Sequence, residues 1–313
     1  MKFSKYLYVI GGCALGSEKR PIDSIERVSV EQIGKEIIVK SEICGHLVHP
    51  KRSPSVFISD ENSIIIVGGC LGPNDHSEKI EILKNQNDFL TSQLSDSKCE
   101  VGHSCAAFSP KSKIKVIFGG FEAHNCLDSV QVRNTDGDFR KVRGFLPKLK
   151  NSVVLDVGND EFLLFGGWQD EKETTAAIRR LKFNQTYTEY SVDFEGFLPY
   201  PVEGHTIVQK DDFVYLIGGF DGCFVLTSII RYNLKTKKSE VLEEKLFEKR
   251  ENHVSGLIGE SYLIVAGGWN SKHALDSIEV FKIDKNGNLE NNTFSSDSAK
   301  LITPRNRPSS VSL

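Results

Sequence analysis

The chain has no apolar run approaching the roughly 18–20 residues that span a bilayer, which argues against a transmembrane protein. Neither sign of charge is in excess. The 39 Lys and Arg are balanced by 42 Asp and Glu, for a net charge of −3, and the basic residues are scattered. Nothing here would draw the protein to nucleic acid or to an anionic membrane surface. There is no CxxC pair and no Cys/His cluster at zinc-ligand spacing. The seven cysteines, at 13, 44, 70, 99, 105, 126 and 223, are odd in number and dispersed, as expected of thiols in a reducing compartment. The two N-x-Thr sequons, at Asn184 and Asn291, would matter only in a secreted chain. GxSxG, HExxH, P-loop and Rossmann patterns are all missing, so no nucleophilic catalysis, metal or cofactor is expected. No segment shows helical periodicity between a cap and a stop.

What the chain does contain is a repeat. The stretch YLYVIGG near the N-terminus returns as SIIIVGG, IKVIFGG, EFLLFGG, VYLIGGF and YLIVAGG. The glycine doublets are Gly11-Gly12, Gly68-Gly69, Gly119-Gly120, Gly166-Gly167, Gly218-Gly219 and Gly267-Gly268. They lie 57, 51, 47, 52 and 49 residues apart, and 57 again when counted through the C-terminus back to the start. The sequence therefore divides into six similar units only when read as a circle.

Each unit adds a polar residue and a short apolar stretch ahead of the doublet, such as HTIV or HVSGLI. Another strand pattern follows the doublet, such as DSIERV or DSIEVF. Tyr, Val, Ile and Phe dominate these runs, and SIEVF alternates as a strand with one buried face does. Four short strands per unit of this length point to a propeller blade. The doublet has a physical reason to recur, because glycine permits close backbone approach and a bend out of the strand.

A hydrophobic strand, Gly-Gly, a loop and then L-D-S-I-E-V-F (Leu275 to Phe281) resembles the kelch repeat. G-H-S at Gly102–Ser104 and G-H-T at Gly204–Thr206 resemble that family's strand openings. The resemblance covers essentially the whole chain, 1–313, as one domain. It implies an all-β, six-bladed β-propeller of four-stranded antiparallel blades. The tryptophan that kelch repeats usually carry late in the unit is missing, since Trp168 and Trp269 directly follow doublets. The resemblance also implies ring closure by the C-terminal strand, within RNRPSSVSL (Arg305–Leu313), pairing beside Lys5–Ile10 of the N-terminal blade.

Aligning the units places Arg52, His103, Asn151, His205, His253 and Arg307 at the start of the six opening strands. In kelch propellers these positions and the post-doublet loops share one face around a channel mouth. The resemblance thus implies a donor-rich funnel for an acidic protein or peptide partner. The histidines equally suit a structural role, bonded to local backbone. A metal on His103, His205 and His253 is not expected, because separate blades hold them too far apart for one zinc. Phe121, Trp168, Phe220 and Trp269, each directly after a doublet, suit either partner anchors or blade packing.

Two functions follow from the resemblance. The first is a non-catalytic interaction scaffold or adaptor with its partner on the funnel face. Ubiquitin-ligase and cytoskeletal partners enter by analogy alone, because the chain has no room for the BTB domain that often accompanies such propellers. The second is a sugar-handling enzyme of the sialic acid mutarotase type, with an acid/base group in the funnel. A deep pocket holding a carboxylate beside an arginine would favour the enzyme, and a shallow bowl would favour peptide binding. KYLYVIGGC at Lys5–Cys13 has five siblings inside the chain, so it reads as a strand rather than a secretory signal, and a cytoplasmic location is expected.

Overall fold

In a computed structural model, the described residues are 4–14, 20–34, 36–59, 63–72, 75–99, 105–109, 114–122, 125–133, 138–169, 173–291 and 299–313. Among them every regular element is a β-strand. The residues fix this outcome locally. Each apolar run before a doublet, such as Leu7–Ile10, Ile64–Val67 or Phe213–Ile217, is buried along nearly its whole length. Both of its faces are covered, which is why it reads as continuously hydrophobic rather than alternating.

Most of the described strands group in fours, antiparallel within each group. Phe121–Glu122 with Asn125–Cys126, and Leu149–Lys150 with Trp168–Gln169 and Glu173–Thr174, form two small sheets beside them. Sheet 1 takes its opening strand, Ser309–Ser312, from the C-terminus and continues through Leu7–Ile10, Ser24–Ile33 and Glu36–His46. Sheet 2 is Ser55–Ile58, Ile64–Val67, Lys79–Gln86 and Phe89–Lys98. Sheet 3 is Cys105–Ser109, Ile114–Phe118, Val130–Arg133 and Arg140–Val142. Sheet 4 is Val153–Gly158, Glu161–Phe165, Ala177–Phe183 and Tyr190–Phe197. Sheet 5 is Thr206–Lys210, Phe213–Ile217, Ser228–Asn233 and Lys238–Lys245. Sheet 6 is Val254–Ile258, Tyr262–Ala266, Ile278–Ile283 and Leu289–Asn291. Sheets 1 and 2 also share one parallel register pair, Gly45 with Leu90, which joins them into one eight-stranded sheet.

Each sheet buries its two faces against two neighbours. Phe162 and Leu164 of sheet 4 pack with Val116 and Phe118 of sheet 3, while Leu163 and Phe165 pack with Val214 and Leu216 of sheet 5. The same alternation joins sheet 5 to 6 through Ile217 and Val265, and sheet 6 to 1 through Ile264 and Val9. It joins sheet 1 to 2 through Ile10 and Ile66, and sheet 2 to 3 through Val67 and Ile117. Six small cores thus run in cyclic order, each shared by two sheets. A two-residue side-chain period assigns odd and even residues of one strand to different cores.

The glycine doublets tie the sheets together by backbone. All twelve glycines hold left-handed φ, between 55° and 66° for the first and 92° and 111° for the second. The N–H of the second glycine donates to a carbonyl in the lead-in to the next sheet. Gly12 donates to Lys51, Gly120 to Leu149, Gly167 to Val202, Gly219 to Arg250 and Gly268 to Arg305, at 2.8–2.9 Å. A Cβ on Gly218 would stand 2.5 Å from the Arg250 carbonyl, and one on Gly219 would stand 2.7 Å from that of Glu203. The doublet is glycine because two lead-ins press against it and because its φ values favour no other residue.

Buried ion pairs reinforce three of these joints. Lys51, Arg250 and Arg305 send their carbonyls to the preceding doublet and their side chains to a glutamate on the third strand of their own sheet. Lys51 Nζ lies 2.6 Å from Glu81 Oε1, Arg250 Nη2 lies 2.6 Å from Glu279 Oε1, and Arg305 pairs with Glu26. These glutamates also accept from the lead-in backbone, at Val48 N, Phe247 N and Ile302 N, each 2.8 Å away. Burial pushes the Glu81 carboxyl up, but Lys51 and the donors outweigh it and hold the group below the usual range. A buried ion pair survives where added hydrogen bonds offset its desolvation. Glu279 and Glu26 have them on both oxygens, whereas Lys51 Nζ and Glu81 Oε1 have only their close charge contact among the described residues.

The C-terminal strand pairs beside the N-terminal one, as the circular reading expects, with Ser312 opposite Leu7 and Ser309 opposite Ile10. Truncation before Arg307 removes this strand and exposes the edge of Leu7–Ile10. The melting temperature should then fall by on the order of 10 °C or more. An unchanged melt would contradict closure through this pairing.

Candidate functional site

The lead-ins converge where the opening strands begin. Ser53, Asn151, Gly204, Asn252 and Arg307 each adopt left-handed φ, between 50° and 60°. Their backbones form a chain of hydrogen bonds from sheet to sheet. Ser53 N donates to Arg307 O at 2.8 Å, Arg307 N to Asn252 O at 2.9 Å, Asn252 N to Gly204 O at 2.7 Å, and Gly204 N to Asn151 O at 3.0 Å. Five of the six units take part among the described residues. Gly and Asn suit such a backbone. Ser53 and Arg307 adopt it at a cost of about 1–2 kcal/mol each, against which their donated bonds count.

This ring corrects the sequence alignment. Asn151 and Arg307 occupy the left-handed position, but Arg52 comes one residue before it, and His205 and His253 come one residue after. His103 lies outside the described residues. Polar chemistry alone does not separate these three successive structural positions. The left-handed residue is the register mark, and Ser53, Gly204 and Asn252 are the equivalents of Asn151 and Arg307.

The displaced residues do different work. His205 and His253 are buried, each 3% exposed. Cβ atoms built on Gly166 and Gly218 would lie 3.1 Å from Cε1 of His205 and His253, so each ring covers the preceding sheet's doublet. His253 Nε2 bonds Thr206 Oγ1 at 2.9 Å, and both His205 ring nitrogens lack a partner among the described residues. Burial pushes the His205 pKa down to about 3. His253 is also held well below the usual range, by burial first and then by Arg250 and His205. Arg52 is 3% exposed and reaches the Gly72 carbonyl, in the loop after its own sheet's doublet, at 3.4 Å. Of the positively charged candidates described, Arg307 alone is more than marginally accessible.

Two carboxylates, unforeseen in the sequence, share this end of the molecule. Glu203 accepts from Asn151 Nδ2 at 2.7 Å and from Thr174 Oγ1 at 3.3 Å. Glu251 accepts from Asn252 Nδ2 at 3.1 Å. Burial raises the Glu251 pKa, Arg307 opposes the shift, and neighbouring Glu203 adds to it. The signal was present in sequence as an acidic residue directly before the left-handed Gly204 or Asn252. The mouth is therefore of mixed charge rather than purely donor-rich.

The aromatics after the doublets brace the joints. Trp269 and Phe220 bridge by backbone to Glu251 and Glu203, and Trp168 pairs with Lys150. Lys150 Nζ lies 4.3 Å from the Trp168 ring centre and 4.8 Å from that of Phe121. A different aromatic in these loops, Phe224, is 72% exposed.

Inside the ring lies a cavity of about 140 Å³, bordered by Asn151, Gly204, His205, Asn252, His253 and Arg307. A larger space of about 740 Å³ opens at the other ends of the opening strands, around Lys210, Asp211, Glu260 and Ser312. No group of three or more His, Cys, Asp or Glu among the described residues is placed to hold a metal. No described helix is long and apolar enough to cross a membrane. Neither the family models nor the curated proteins compared with this chain give a match.

The buried histidines set a pH dependence. Their folded pKa values are lowered, so below about pH 6.5 the unfolded chain takes up protons that the folded chain does not. The stability they allow is present above that pH and is lost as pH falls toward the folded values. Each histidine should cost up to about 1.4 kcal/mol per pH unit through this window. Urea unfolding at pH 7, 5 and 4 should show this slope, reduced by one histidine's share in His205→Gln. An equal slope in the variant would contradict the assignment.

Proposed function

We propose that the six sheets are the blades of a six-bladed β-propeller of the kelch kind. We propose further that the chain is a non-catalytic scaffold, binding a protein or peptide segment on the face that carries the left-handed ring. The cyclic order of six shared cores supports the architecture, together with the doublets and the strand closure. The form of the mouth carries the function. Its cavity of about 140 Å³ adjoins a second of about 290 Å³ along the opening strands, with Pro54, Ser152, His253, Pro308 and Ser309 in both walls. The two together form an open bowl rather than an enclosed pocket, rimmed by hydrogen-bonded backbone. Exposed loops stand on that rigid base, an arrangement suited to recognition. Phe224 offers an aromatic anchor and Arg307 a guanidinium for a carboxylate of an acidic partner, while Arg52 acts from beneath as a brace. A cytoplasmic location belongs to the same reading.

One observation favours the mutarotase-type alternative, the raised pKa of Glu251 beside Arg307. Glu251 lines neither of the two cavities at the mouth, so that carboxyl would have to turn inward before it could act on a sugar there.

Affinity capture with the wild type and with the Phe224→Ser/Arg307→Ala variant separates these readings. The scaffold predicts a saturable partner whose capture falls at least about tenfold in a variant of unchanged melting temperature. Equal capture by both would contradict the binding face. NMR of sialic acid anomer exchange completes the test. Acceleration that is lost in Glu251→Gln would establish the enzyme instead.

A further inference from the structure

The buried glutamate of the third strand recurs with a rule. In sheets 1, 2 and 6 the position holds Glu26, Glu81 and Glu279, each paired with Arg305, Lys51 or Arg250 and each accepting a lead-in N–H. In sheet 5 every part of this device is replaced together. The third-strand residue is Ile230, the cation position is Val202, and the donor position after the buried leucine is Pro199, which has no N–H. Val202 and Ile230 accordingly share one apolar core.

Sheet 4 breaks the rule. Its cation position is Leu149 and its donor position is Pro147, as in the apolar version, yet the third strand carries Arg179. Its Nη1 is buried with no hydrogen-bond partner among the described residues, and no described carboxylate pairs with the side chain. Burial alone lowers its pKa, with no charged group opposing the shift. The next residue shows the contrast. Arg180 is fully engaged, with Glu161 at 2.8 Å and Glu195 at 2.6 Å.

Arg179 borders a cavity of about 470 Å³ on the outer flank of sheet 4, walled by Phe145, Pro147, Tyr190, Val192 and Phe194. That volume lies within the range of ligand pockets. Phe145 is 77% and Phe194 61% exposed, and Phe194 stacks edge-on against exposed Phe197 at 4.8 Å. Ile43, Leu94 and Val241 stand in the register position of Phe194 in sheets 1, 2 and 5, so an apolar residue there is part of the repeat. The aromatic wall and the unmatched guanidinium belong to sheet 4.

We propose that this flank is a second binding site, separate from the ring face, which takes a peptide carboxylate next to an aromatic or branched apolar side chain. The guanidinium supplies the one charge the pocket lacks a partner for, and the carboxylate replaces the glutamate–cation device that this sheet has lost. The aromatic wall takes the neighbouring side chain. The site does not depend on the function proposed for the mouth.

The test uses three short peptides with the full-length protein, followed by NMR of the Arg179 Nε–H group and of the Tyr190 ring. Acetyl-Phe-Asp-amide offers a side-chain carboxylate, acetyl-Asn-Phe a free terminal carboxylate, and acetyl-Phe-Asn-amide neither. One or both acidic peptides should bind saturably, with Kd on the order of 1 mM, and the neutral one at least about tenfold more weakly. The stronger of the two acidic peptides identifies the source of the carboxylate. Arg179→Leu should abolish the difference while melting at the same or a higher temperature, because it restores the apolar version seen in sheet 5. Arg179→Lys should keep part of the binding, and Arg307→Ala all of it. Equal binding of acidic and neutral peptides, or unchanged binding in Arg179→Leu, would overturn the proposal.

Discussion

A backbone hydrogen bond from the second glycine of a doublet to a carbonyl of the next lead-in, present at five of the six doublets among the described residues, is the contact on which the other features depend. It requires two consecutive residues at positive φ, with no room for a Cβ between two crossing lead-ins. Only glycine meets both conditions at low cost. Once the contact forms, the next sheet is placed against the last, its second strand is buried on both faces, and a core closes between them. The same lead-in then turns through its left-handed residue and starts the opening strand. Local backbone geometry is thereby converted into the angle between neighbouring sheets, and the C-terminal strand comes to lie beside the N-terminal one.

The side chains added to this joint are negotiable where the backbone is not. Sheets 1, 2 and 6 fill the space behind the lead-in with an ion pair, and sheet 5 fills it with Val202 and Ile230. Both solutions satisfy the lead-in. A glutamate caps a free N–H in the first, and a proline removes the N–H in the second. Because the parts change together, a single mismatched member is conspicuous. Arg179 is such a member, and a half-buried cation with one nitrogen left unmatched is what a protein optimised for stability alone would lose.

The fold was legible in the sequence because its constraint falls on residue types. Doublets show as letters, buried strands show as apolar runs, and circular spacing shows that the first and last strands belong together. The mouth was less legible. Its register is marked by a backbone conformation shared by Gly204, Asn252, Asn151, Ser53 and Arg307, which no single residue type reveals. Aligning by histidine and arginine therefore displaced Arg52, His205 and His253 by one residue. Glu203 and Glu251 are inconspicuous in the sequence because acidic residues abound in the loops, and only their hydrogen-bonded place beside the left-handed residues distinguishes them. The glutamates of the joints were visible in SIERV and KIEIL, but their cations lie in lead-ins of irregular sequence. Such pairs are separated by 279 residues in the case of Arg305 and Glu26.

Native-state hydrogen exchange at the doublets tests the account most directly. The amides of Gly12, Gly120, Gly167, Gly219 and Gly268 should exchange only through global unfolding, as slowly as those of the buried second strands. The same holds for the ring amides of Ser53, Gly204, Asn252 and Arg307. Outer-strand amides should exchange faster, through local opening. If the doublet and ring amides instead exchange as freely as surface loops while the second strands stay protected, the joints do not hold the sheets together and the account fails.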